Sequence, residues 1–146
     1  MYLVYECEVG WLLFGDSCYF FESNKKTAKS AENDCVGKDS HLASIHSTKA
    51  MKFLGEEKIF NSNVQFVWIG GEKNGNSFQW LDGTEFGYES WDDGEPDDLS
   101  YEKCIAWKIF ASSTKWHDAD CGREHVYVCK KPALRKYFTF ADGKDI

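Results

Sequence analysis

Two early stretches carry apolar positions at helical spacing. In "AKSAENDCVGK", Ala28, Ala31 and Cys35 fall on one face, Thr27 stands at the N-cap position and Gly37 at the end. In "TKAMKFLGEEKIF", Ala50, Phe53, Leu54 and Phe60 share a face behind Ser47 as cap. Around them the period shortens to two. "YLVYECEV" (2–9) and "CYFFES" (18–23) read as short strands that Cys7 and Cys18 could close into a hairpin, and "HLASI" (41–45) is extended. After residue 64, short β-branched and aromatic runs alternate with Gly, Asn and Asp: "VQFVWIGG", "SFQWLDG", "CIAWKIF", "STKWHDADC" and "HVYVCKK". Helices early and strands late predict an α+β fold, not alternating βαβ units. Between the runs, about 82 to 103, lies a long irregular stretch of the kind that usually carries function.

Length and cysteines sharpen this picture. A chain of 146 residues fits one domain, expected over 1–132, with 133–146 as a tail or, through "YFTF", an extra edge strand. Six cysteines at 7, 18, 35, 104, 121 and 129 lack the C-x2-C spacing of zinc or redox motifs. They predict three disulfides and an oxidising, extracellular setting, with the pairing left open by spacing alone. A net charge of −7 argues against nucleic acid as partner. No apolar run reaches the ~20 residues of a membrane span. "MYLVYECEVGWLL" has no basic start, so the expectation is a secreted chain whose leader has been removed, with Met1 added. No Asn-x-Ser/Thr sequon occurs.

The irregular stretch contains "WDDGEPDDLSYEKC" (91–104), with acids at 92, 93, 95, 97, 98 and 102 against one base, Lys103. Such crowding is either a solvated loop or a cation site. Calcium takes about six to eight oxygens, often from carboxylates. Enzyme chemistry is not expected. His41, His46, His117 and His125 accompany no "G-x-S-x-G", "H-E-x-x-H" or Gly-rich phosphate loop. His41, His46 and His125 read as surface or packing residues, and a zinc site at His117 with Asp118 is weak because carboxylates suit a harder cation.

The stretches "CEVGWLLFGDSCYFF", "LASIHS", "FVWIGG", "FQWLDGTEF", "WDDGEPDD", "EKCIAW", "WHDADC" and "YVCKK", in this order, make the chain resemble the C-type lectin-like domain family over roughly 7–131. The resemblance implies the double-loop fold in its long form, with two helices and antiparallel sheets. It implies disulfides Cys7–Cys18, Cys35–Cys129 and Cys104–Cys121. It also implies a ligand site on the long loop, where calcium and sugar share Glu95, Asp97, Glu102, His117 and Asp118, with Pro96 after a cis bond. One principal calcium is expected. The neighbouring loop "GGEKNGNS" (70–77) has a single carboxylate, Glu72, and Lys103 stands where relatives with a second ion commonly have an acid.

The match departs from the family's sugar motifs. Mannose-type sites read Glu-Pro-Asn, galactose-type sites Gln-Pro-Asp, and the second segment reads Trp-Asn-Asp. Here the residues are Glu95-Pro96-Asp97 and Trp116-His117-Asp118. An ionised carboxylate accepts but does not donate, so Asp97 removes a donor and His117 a second amide. The reading is a calcium-dependent glycan-binding module that leans, through Glu95, to mannose-type sugars. The alternative is a calcium-stabilised domain that recognises a protein, lipid or surface. Tyr88 and Tyr101 are candidate sugar or partner contacts, whereas Trp68, Trp80, Trp91, Trp107 and Trp116 are expected to be structural.

Overall fold

Both helices start at the caps that the apolar spacing marks, though the second ends at Glu57, short of Phe60, in the computed structural model, which describes residues 1–58, 60, 63–99, 101–109 and 114–139. Helix α1 (Ala28–Gly37) starts at an extended Thr27, whose hydroxyl accepts from the amide of Ser30, and buries Ala28, Ala31 and Cys35. Helix α2 (Thr48–Glu57) is capped in the same way by Ser47, which accepts from the amide of Ala50 at 3.1 Å. Its buried residues are Ala50, Met51 and Leu54; Phe53 packs on Phe14 with 4.8 Å between ring centroids.

The strands are β1 (Tyr2–Glu6), β2 (Leu12–Phe14), β3 (Ser17–Lys26), β4 (His41–Leu42), β5 (Phe66–Asn74), β6 (Ser77–Trp80), β7 (Glu102–Lys108), β8 (Lys115–Asp120), β9 (His125–Pro132) and β10 (Leu134–Phe138). The main sheet runs β2-β3-β9-β5-β7-β8, with β4 on β9 and β6 on β5. Its pairs are antiparallel except β5 with β9, which is parallel, so the sheet is mixed. The N-terminal hairpin also differs from expectation. Leu12–Phe14, not residues 2–9, folds back on Ser17 onward, with Gly15 turning at φ +62. Strand β1 pairs instead with β10, Leu3 opposite Tyr137, as a separate two-stranded ribbon. Residues 140–146 lie outside the described residues.

The continuous apolar runs have a simple cause: the central strands are buried on both faces, so both sets of alternate side chains must be apolar. One face gathers Val67, Ile69, Ile105, Trp107, Trp116, Val126 and Val128 under α2. The other gathers Trp68, Ala106, Ala119, Tyr127 and Cys129 under α1. The disulfides are Cys7–Cys18, Cys35–Cys129 and Cys104–Cys121. Cys35–Cys129 spans 94 residues and ties α1 to β9. In the chain-entropy account a loop that long is worth about 4–5 kcal/mol.

Strand β5 passes the end of β4 too closely for a side chain at Gly70, whose Cβ would lie 2.3 Å from the carbonyl oxygen of Leu42. Backbone cannot step aside there, as the amide of Gly70 donates to Ala43 O at 2.8 Å. Gly70→Ala should therefore lower unfolding free energy by about 1–3 kcal/mol, read as a fall in urea midpoint. Gly37→Ala, where nothing lies within 4 Å of the added Cβ, should leave the midpoint unchanged or raise it.

Candidate metal and glycan site

From Leu81 to Tyr101 the described chain makes no strand beyond a bridge of Trp91 to Trp116. It is nonetheless held. The rings of Trp80, Phe86, Tyr88 and Trp91 meet the fully buried Trp116 at centroid distances of 5.6 to 6.3 Å. The amide of Trp116 donates to Ser90 O, and that of Asp92 to Trp116 O. At its start, Asp82 takes the hydroxyls of the buried Ser44 and of Thr84. Further on, Lys108 reaches Asp92 at 2.7 Å and Lys73 reaches Asp98 at 2.8 Å. Tyr88 is thus engaged by the core, while Tyr101 remains exposed.

The acids converge on Asp118, which has no exposed surface. Its two carboxylate oxygens accept from the amides of Asp97 at 3.0 Å and Asp98 at 2.9 Å. That places a loop carboxylate over the end of β8. The Glu95–Pro96 bond is cis, and Asp98 adopts φ +58. Donor oxygens of Glu95, Asp97 and Asp118 all lie within 4.8 Å of one another. Glu102, opposite Asp120 in the β7–β8 register, lies outside that set of three, though Glu102 and Asp97, like Glu95 and Asp118, are close enough to share a proton.

Four carboxyl groups this close cannot all ionise freely. Desolvation, the shared hydrogen bond and the facing charges push Glu95 up to about 7, and Glu102 likewise. Asp97 is lowered, chiefly because Glu102 donates to it. One oxygen of Glu95 and one of Glu102 are buried with no hydrogen-bond partner. Buried acceptors of this kind are normally satisfied, and an all-carboxylate donor set suits a hard cation.

His117, like Glu102, lies outside the closest set of three. Successive side chains of a strand point to opposite faces; its ring packs on Phe66 at 4.7 Å, and burial holds its pKa below the ordinary value. Its Nε2 is buried without a partner. Asp120 accepts from the amide of Gly122, while Asp92 and Asp98 are engaged by lysines, and Asp93 is exposed. The sequence did not flag Lys73 and Lys108 as loop anchors. Their partners lie 25 and 16 residues away, and no local pattern marks such pairs.

Residues 24–131 match the Lectin C-type domain family, and the chain belongs to that family. Among its relatives, a type-2 ice-structuring protein of Brachyopsis segaliensis is 35% identical over 133 residues, covering 88% of this chain and 74% of its own. Ladderlectin of Oncorhynchus mykiss is 34% identical, covering 80% and 63% respectively. Among solved structures, a calcium-independent type II antifreeze protein superposes with a TM-score of 0.81 at 33% identity, over 90% of this chain and 98% of that one. The cow CD23 carbohydrate-recognition domain, solved in the presence of a GlcNAc2Man3 oligosaccharide, gives 0.79 at 32% identity, over 90% and 99%. Relatives of this fold thus include both lectins and ice-structuring proteins.

The raised acids set a pH dependence of the metal-free protein. Between their ordinary value of 4.5 and about 7, folded Glu95 and Glu102 hold more protons than the unfolded chain does. Their contribution to stability therefore falls as pH rises through that window. In EDTA, Glu95→Gln with Glu102→Gln should melt above wild type at pH 8. The two should converge near pH 4.5, where wild type is protonated too. A constant difference across that range would contradict the shared-proton arrangement.

Proposed function

We propose that this chain is a secreted, calcium-dependent carbohydrate-binding module leaning to mannose-type sugars, with Glu95, Asp97, Glu102 and Asp118 holding one principal calcium. The observation that carries the reading is the pair of buried, partnerless carboxylate oxygens, one on Glu95 within the three gathered acids and one on Glu102 beside them. Calcium, when bound, supplies coordination to a pair of neighbouring sugar hydroxyls. The three disulfides fit the oxidising compartment that secretion implies. The lectin relatives support binding rather than catalysis as the task of the fold.

What the chain's own groups offer a sugar is uneven. Carboxylates accept hydrogen bonds from hydroxyl protons but cannot donate to hydroxyl lone pairs. Asp97 therefore gives no donor, and the ring of His117, set against Phe66, supplies none at the cluster either. Monosaccharide affinity should be weak. A second reading, recognition of a protein, lipid or solid surface, is favoured by the ice-structuring relatives. A glycan panel with calcium and with chelator separates the two: reproducible, chelator-sensitive glycan binding supports the sugar reading, and its absence in a calcium-loaded protein supports the other.

Calcium at a hundredfold excess over Kd should add about 2.7 kcal/mol of stability. Glu95→Gln with Asp118→Asn should abolish that gain; an equal Tm in millimolar calcium and in EDTA for wild type would remove the metal. Asp97→Asn restores one donor, and a neutral hydrogen bond is worth about 0.5–1.5 kcal/mol net. In saturating calcium, a mannose titration should then tighten by about two- to tenfold. Unchanged affinity in the calcium-loaded variant would show that donors do not limit this site.

A further inference from the structure

Beside the acid cluster, two lysines line one cavity. The β5–β7 register sets Glu72 opposite Cys104, and Lys73 and Lys103 are the residues that adjoin that pair in each strand. Lys103 is the extra residue of a β-bulge: Glu102 pairs with Asp120 and Cys104 with Ala119, leaving it between them. A bulge re-aims its side chain away from the ordinary alternation. Lys73, Lys103, Leu99 and Gly75 together line a shallow cavity of about 270 Å³. Gly75 leaves it open, since a Cβ there would meet nothing within 4 Å.

Like charges lining one cavity repel, and here only half of the repulsion is relieved. Lys73, whose side chain is 19% exposed, pairs with Asp98. Lys103 is exposed and makes no ion pair among the described residues. The two lysines and Asp98 leave one positive charge in the cavity. An ammonium carries three donors, so Lys73 retains two beyond Asp98. Leu99, 45% exposed, forms an apolar wall. The cavity is coupled to the acid cluster through Asp98, whose amide donates to Asp118.

We propose that Lys73 and Lys103 form an anion subsite that receives a sulfate or carboxylate group carried on a glycan whose hydroxyls occupy the neighbouring acid cluster. Full use of the subsite rests on the glycan reading above. The preferred ligands are then acidic sugars, although the molecule as a whole is acidic.

The test compares methyl α-mannoside, mannose 6-sulfate and the methyl glycoside of mannuronic acid in saturating calcium, using wild type, Lys103→Gln and Lys103→Arg. Charge-assisted bonds predict about a tenfold preference for at least one anionic sugar. It should shrink with added NaCl, disappear in Lys103→Gln and return in Lys103→Arg. The two anionic arms tell sulfate from carboxylate. Leu99 methyl shifts on titration with inorganic sulfate report the cavity independently of sugar. Equal binding of all three sugars, or a preference that Lys103→Gln keeps, overturns the subsite and leaves the hydroxyl reading standing. Anionic sugars binding without the neutral one, dependent on Lys103, overturns the hydroxyl reading alone. If no sugar binds but Leu99 responds to sulfate only when Lys103 is present, the anion cradle stands and the glycan reading falls. If no sugar binds and Leu99 does not respond, both fall.

Discussion

Strand β8 holds an indole and a carboxylate, two residues apart, both out of contact with solvent. Trp116 supplies an apolar surface on which Phe86, Tyr88 and Trp91 settle, and Asp118 supplies two acceptors for the amides of Asp97 and Asp98. An irregular segment has few backbone bonds of its own, so its conformation must be fixed by outside groups. Here one strand fixes it at both levels, packing first and hydrogen bonds second. A buried carboxylate is costly unless its oxygens are bonded, so the loop and Asp118 stabilise each other and neither arrangement is expected to survive alone.

The same economy explains why the acids accumulate. Once Asp118 is committed to backbone amides, the remaining negative charge of Glu95, Asp97 and Glu102 has to be managed within the cluster. Shared protons manage it in the metal-free protein, with Glu95 and Glu102 acting as the neutral partners. A hard cation would do so at neutral pH by displacing those protons. Lys73 and Lys108 act one layer out, where they anchor Asp98 and Asp92 to the strands. The cluster therefore stays anionic while the rim of the loop is pinned.

Much of this was legible in the chain. The caps Thr27 and Ser47 and the two-faced apolar strands around Val67, Ile105 and Val126 are local patterns, and each element formed where its pattern lay. Family resemblance carried the disulfide pairing, which spacing alone left open. Less legible was anything decided by distant partners. The run at residues 2–9 alternates well, but alternation does not say which strand it will meet; β10 takes β1, and Leu12–Phe14 makes the hairpin. His117 shares a motif with Asp118, yet its ring packs on Phe66, a contact that lies far along the sequence. Tyr88 looked like a free aromatic because its contact, Trp116, is far along the sequence.

The ribbon of β1 and β10 sets Tyr2 opposite Phe138. Paired strands lie about 4.8 Å apart, so the main chain enters and leaves this unit through a single narrow doorway. A host protein would need to open one hairpin turn by little more than a strand spacing to accept the unit as an insertion. Such a graft leaves the sheet and its acidic loop unbroken and makes the unit portable as a cassette, with its direction of display set by the twist of two strands.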